Sequence, residues 1–120
     1  MIHHVALEVT PDLVPEEAAF WTGIGFNGVP APGELGDDYT WLESGGIQIH
    51  LMHVPEPVVP ERGHVAVVVP DFDLAAERLQ AAGFEVRPGR ELWGEKRAKA
   101  TSPAGHVVEL MAAPPPPASG

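Results

Sequence analysis

The chain has 120 residues, 44% of them apolar, which is enough for the core of one domain. Its 17 acidic residues against 7 Lys and Arg give a formal charge of −10, which disfavours nucleic acid and anionic membranes; it would suit cationic ligands or metal ions, with solubility alone as the plainer reading. Cysteine is absent, so disulfides and thiolate ligands are excluded, as fits a reducing cytoplasm, and neither a membrane-spanning apolar run nor a secretory signal is expected.

From the N-terminus, Ile2 to Val9 alternates with period two. Ile2, His4, Ala6 and Glu8 share one face of the predicted strand, and Val5, Leu7 and Val9 the other. Asp12 and Pro15-Glu16-Glu17 then read as a helix start, with acidic residues countering the dipole. That helix is expected to run through Trp21 and to fail at Gly23 and Gly25. Residues 27–38 are rich in Gly and Pro and read as a loop with at most one short strand. Tyr39 to Glu43 is a strand, Ser44-Gly45-Gly46 a hairpin turn, and Ile47 to Met52 its partner, with Gln48, His50 and Met52 on one face. Residues 55–62, with three prolines, form the expected linker.

The second half repeats the order. A strand over residues 64–69 is followed by a helix capped by Asp71 or Asp73, running through Ala82 and closed by Gly83. A strand near Phe84 to Arg87, a loop through Gly89 and Gly94, a basic strand over 96–101, the turn Ser102-Pro103-Ala104-Gly105 and a last strand Val107 to Met111 complete it. Residues 114–120 are proline-rich and expected to be disordered. His4-Val5-Ala6 returns as His64-Val65-Ala66, 60 residues on (64 − 4), and Ile49-His50-Leu51 as Val108-Glu109-Leu110, 59 on (109 − 50). A near-constant offset is the mark of an internal duplication. The expectation is therefore one domain, residues 1–113, built of two β-α-β-β-β modules (1–54 and 63–113), each needing the other to cover its apolar sheet face.

Duplication pairs His4 with His64 on the first strands, and His50 with Glu109 on the last. All four stand on the less apolar faces, and three imidazoles with one carboxylate suit a divalent first-row ion such as zinc, nickel, iron(II) or manganese. A lone strand histidine is more often a hydrogen-bonded residue than a ligand; it is the duplicated placement that points to metal. His3 points away from His4, and His53 and His106 read as surface residues, His106 with a possible place beside the ligands.

These paired modules, the His-Val-Ala strand starts, Ile49-His50-Leu51, Gly63-His64 and the run from Ser102 to Leu110 resemble the vicinal oxygen chelate superfamily. That group includes glyoxalase I, the fosfomycin and bleomycin resistance proteins, methylmalonyl-CoA epimerase and extradiol dioxygenases. The resemblance spans residues 1–112. It implies an α+β fold in which two paired βαβββ modules form a half-open mixed β-barrel around a central cavity. It also implies metal ligands at His4, His50, His64 and Glu109, and a metal face that takes two neighbouring substrate oxygens. Glyoxalase I usually has Glu or Gln where this chain has His50, which leaves no evident general base. Candidates for the cavity wall are Tyr39, Trp41, Trp93 and Arg97, with Lys96 and Lys99 beside the last. The run Lys96-Arg97-Ala98-Lys99 is unusual in so acidic a chain and would suit the grip of an anionic substrate, with Arg97 and Lys99 on one face; a solvated edge strand is the plainer reading.

The expected function is a glyoxalase-like, metal-dependent lyase or isomerase acting on a small substrate, as a homodimer. The alternatives are a metal-free binder of the bleomycin-resistance type, which the acidity and aromatics suit, and a single-domain iron(II) dioxygenase.

Overall fold

A computed structural model describes residues 1–118. Of the predicted disordered segment, 119–120 lie outside the described residues, and 114–118 form neither helix nor strand. Among the described residues no helix is long and apolar enough to cross a membrane. The chain order is β1 (His4–Val9), α1 (Val14–Ile24), β2 (Asn27–Val29), β3 (Tyr39–Ser44) and β4 (Ile47–His53). It continues with β5 (Val65–Val68), α2 (Phe72–Ala81), β6 (Val86–Pro88), β7 (Arg97–Thr101) and β8 (Val107–Met111). The βαβββ module is thus written twice, in two units: Met1–Val59 with Pro103–Gly105, and Pro60–Ser102 with the described residues from His106 onward.

In the first unit the sheet order is β1-β4-β3-β2. The parallel pair β1–β4 requires a long crossover, and α1 supplies it, whereas β3 and β4 close through the two-glycine turn. Helix α1 buries Phe20, Trp21 and Ile24, and the sheet buries Val9, Leu42, Ile49 and Leu51. The helix passes through Gly23, where the sequence predicted a stop, and ends at Gly25 in a left-handed cap with φ 119°. Burying Ile24 offsets the cost of about 1 kcal/mol for a glycine inside a helix. Glu17, read from sequence as a dipole-countering residue, is fully buried. Its carboxylate accepts from the Trp21 indole at 3.2 Å and from the backbone N–H of Ala104 at 2.9 Å.

The second unit repeats this plan as β5-β8-β7-β6, with β5 and β8 parallel. Ala75 and Leu79 of α2 are buried, as are Ala98, Ala100, Val108 and Leu110 of the sheet. Neither predicted aspartate caps α2: Asp71 holds the cap position without a side-chain bond, and Asp73 turns to Lys96 at 2.9 Å. The basic strand β7 is internal, between β8 and β6, which removes its reading as a solvated edge.

Candidate metal centre and binding cleft

The duplication carries into the register. Across the first sheet, Val29, Trp41, His50 and Ala6 lie in one cross-strand row; across the second, Arg87, Lys99, Glu109 and Ala66 lie in the equivalent one. Because strand side chains alternate, these rows occupy the faces opposite the buried apolar residues. His50 and Glu109 are therefore equivalent, as the sequence offset predicted. The first unit presents an aromatic row and the second a charged one.

In the first unit three rings stack. His50 lies parallel to Trp41 with centroids 4.0 Å apart, and the His4 ring covers its other side at 3.9 Å. His50 is 7% exposed, and its Nε2 meets Gln48 Oε1 at 2.7 Å, which it satisfies by donating. Burial, and then the positive charge His4 and His3 would carry, hold the His50 imidazolium below its ordinary pKa and favour the neutral ring. A neutral ring protonated at Nε2 leaves Nδ1 free to bind an ion. His3 corrects the sequence reading: far from pointing away, its Nδ1 lies 2.9 Å from His4 Nδ1. Among the described residues His3, His4 and His50 form the group of three whose ligand atoms lie within 4.8 Å of one another. The His4 and His50 rings are stacked face to face, so joint coordination by the two would ask the exposed His4 to turn.

In the second unit His64 stands just before β5. Its Nδ1 donates to the Arg62 carbonyl at 2.9 Å, which aims Nε2 outward, 3.4 Å from Glu109 Oε1. Glu109 is 8% exposed and also faces the Arg97 guanidinium, with Nε and Nη2 each 3.4 Å from its oxygens. The donor set of imidazole nitrogens and one carboxylate is of the type that holds a divalent first-row ion.

The four predicted ligands thus fall two in each unit, His4 with His50 and His64 with Glu109. Of the predicted wall residues, Trp41 belongs to the ring stack, and its Nε1 is buried with no hydrogen-bond partner among the described residues. Tyr39 lies on the same face of β3, 38% exposed. Arg97 is tied to Glu109 and to the Arg90 carbonyl and lines a cleft of about 260 Å³ with Arg87, Lys99 and Glu109. Trp93 sits in the turn before β7 at φ 45°, its indole donating to the Ala113 carbonyl. It is not among the residues lining that cleft. His106, predicted at the surface, is buried at 5% exposure beside Ser102.

What sequence reasoning missed was His3 and Arg87. Strict alternation from residue 2 turns His3 away from His4, but β1 begins at His4, so His3 lies outside the pleat that the rule describes. Arg87 closes the strand expected from the sequence and is the central residue of β6, and no local signal names its cross-strand partner.

The profile of the Glyoxalase/Bleomycin resistance protein/Dioxygenase superfamily matches residues 2–110. No curated protein matches the sequence. Among solved structures the chain is similar to a glyoxalase family protein from Bacillus anthracis, at 26% identity and TM-score 0.82, over 92% of this chain and 93% of that one. It shares the fold of lactoylglutathione lyase from Agrobacterium tumefaciens, at 21% identity and TM-score 0.67, over 92% of each chain. It also shares the fold of a Glu-to-Gln variant of the fosfomycin resistance protein FosX from Listeria monocytogenes, complexed with Mn(II) and 1S,2S-dihydroxypropylphosphonic acid. There the identity is 20% and the TM-score 0.72, over 95% of this chain and 93% of that one. With the duplicated βαβββ module and a family profile that covers nearly all of its length, the chain belongs to the Glyoxalase/Bleomycin resistance protein/Dioxygenase superfamily.

Proposed function

We propose that the protein is a metal-dependent enzyme of the glyoxalase-like, lyase or isomerase type, binding a small substrate through neighbouring oxygens at a divalent ion held by His4, His50, His64 and Glu109. The observation that carries this reading is the His64–Glu109 pair. Two ligands about 2.1 Å from one tetrahedral ion lie roughly 3.4 Å apart. His64 Nε2 and Glu109 Oε1 stand at that separation, with the other imidazole nitrogen already committed to a backbone carbonyl. Such a carbonyl bond fixes the tautomer and aims the free nitrogen, as partners of metal-bound histidines generally do. His4 and His50 occupy the equivalent positions of the first unit.

Bound there, a divalent ion would supply Lewis-acid stabilisation of negative charge developing on substrate oxygen. The protein's own residues orient and enclose. Arg97 meets both oxygens of the Glu109 carboxylate, limiting its rotation. Trp41 offers an apolar wall stacked on the His50 ring. Tyr39, on the same face, is exposed enough to meet ligand.

Glu109→Gln tests the reading. It keeps the side chain's shape and an acceptor for Arg97 while removing the one carboxylate from the ligand set. In the presence of chelator its thermal stability is expected to stay within about 1 kcal/mol of wild type, since the ion pair it weakens is only partly enclosed. Metal content by elemental analysis is expected to fall, and turnover of a substrate found by screening to fall by at least about tenfold, equivalent to roughly 1.4 kcal/mol in barrier. Full metal content and full turnover in the variant would remove Glu109 from the ligand set.

A second reading, the metal-free ligand binder, has one observation in its favour. Arg97 already neutralises Glu109, and Gln48 already occupies His50 Nε2. Wild-type protein that carries no divalent metal, and takes none up on addition, would install that reading in place of the first.

A further inference from the structure

We propose that the cleft on the open face of β6 and β7 is an oxyanion subsite, formed by Arg87, Arg97 and Lys99, that holds the anionic end of the substrate. The proposal rests on the reading of neighbouring Glu109 as a ligand of the metal that takes the substrate's other oxygens. The chemical class is a small molecule bearing a carboxylate or phosphate-type group next to its oxygen-rich end.

The register makes the argument. Arg87 stands directly across from Lys99 on the antiparallel pair β6–β7, and Lys99 directly across from Glu109 on β7–β8. Like charges placed opposite one another on a sheet repel and destabilise it. Here the one carboxylate in the row does not relieve them. Glu109 is turned to His64 and Arg97 instead. Lys99 has no hydrogen bond or ion pair among the described residues. Three of the seven Lys and Arg of a chain with formal charge −10 are thus gathered on one face, against a single acid. Their strand is internal to the sheet, so the grouping is not the charged guard of an exposed edge.

Donor counting gives the same result. A guanidinium has five N–H donors and an ammonium three. Arg97 uses three, two toward Glu109 and one toward the Arg90 carbonyl, which fixes the group and leaves two free. Arg87 uses one, toward Thr101 Oγ1. Lys99 keeps all of its own. The cavity of about 260 Å³ lies below the roughly 300–1,000 Å³ of sites that enclose a whole drug-sized ligand, so it admits a charged group and not an entire large molecule. Lys96 provides the contrast. Two positions before Ala98 on the other face, it is already paired with Asp73, and that carboxylate holds its ammonium above the ordinary pKa.

Calorimetric titration of inorganic phosphate into chelator-treated full-length protein, at fixed ionic strength, tests the proposal. Wild type is expected to bind saturably and to gain thermal stability as the row's repulsion is relieved. Lys99→Ala is expected to weaken binding about tenfold, as for one charge-assisted hydrogen bond, and Lys99→Glu to abolish it. Lys96→Ala, on the opposite face, is expected to leave it unchanged. Lys99 is exposed, so these variants are expected to fold. No saturable binding in wild type, or equal binding in Lys99→Glu, overturns the subsite. Metal uptake is measured separately in phosphate-free buffer. Metal without phosphate binding overturns this inference and leaves the enzyme reading intact. Phosphate binding without metal overturns the enzyme reading and leaves the subsite standing.

Discussion

At the scale of single residues, His50 shows how one position can carry two environments. Its place in the duplicated register makes it a ligand candidate, while its place between Trp41 and His4 makes it a packed ring. Desolvation, then the charges of His4 and His3, lower its pKa from 6.5. A histidine whose folded pKa is depressed binds fewer protons folded than unfolded, so stability is present above the unfolded value and is lost as pH falls below it. Chelator-treated protein should therefore melt at progressively lower temperature as pH drops from about 7 through 6.5 toward the depressed folded value. His50→Gln, which cannot titrate, is expected to show a shallower dependence across that window. Parallel melting profiles for the two proteins would mean that burial of His50 has no electrostatic consequence.

At the scale of elements, the joint to watch is Glu17 on α1. A fully buried carboxylate is tolerated only when its oxygens are satisfied, and here the Trp21 indole and the Ala104 backbone N–H do so. The second of these contacts ties α1 to a turn 87 residues later in the chain. Glu17→Ala leaves two donors without partners and opens a void in the core. The expected cost is about 3 kcal/mol, read by chemical denaturation, and Glu17→Gln, which keeps one acceptor oxygen, should cost less. If Ala and Gln were equally mild, the carboxylate would be incidental to the helix's seating.

At the scale of the whole molecule, assembly follows from strands left without neighbours. Among the described residues the outer strands β1 and β2 of one sheet, and β5 and β6 of the other, each pair on one side only. Edges of this kind invite cover, and a homodimer is the expected solution. The prolines of residues 55–62 limit how sharply the chain turns back and so bear on whether the modules pair within one chain or between two. Light scattering at micromolar concentration should report twice the 12.8 kDa chain mass, and a monomer would exclude this assembly.

The sequence by itself determined the duplicated βαβββ order, and with it the pairing of His4 with His64 and of His50 with Glu109. Both follow from local physics: period-two alternation, glycine at the turns, and a near-constant offset between two copies. Val107 to Met111, read as the last strand, is β8 to the residue for that reason. Where local preference meets a competing contact, only the tertiary structure decided. Gly23 predicts a helix end, but burial of Ile24 carries α1 past it. Asp73 predicts a cap, but Lys96, distant in sequence, takes its carboxylate. Alternation sends His3 away from His4, yet it lies before the first residue of the strand and is free to turn back. Above all, alternation puts Arg97 and Lys99 on one face without saying what stands across from them. Pairing between strands sets Arg87 opposite Lys99 and Glu109 beside Arg97, and partners of that kind are fixed by three-dimensional register, which no single segment encodes.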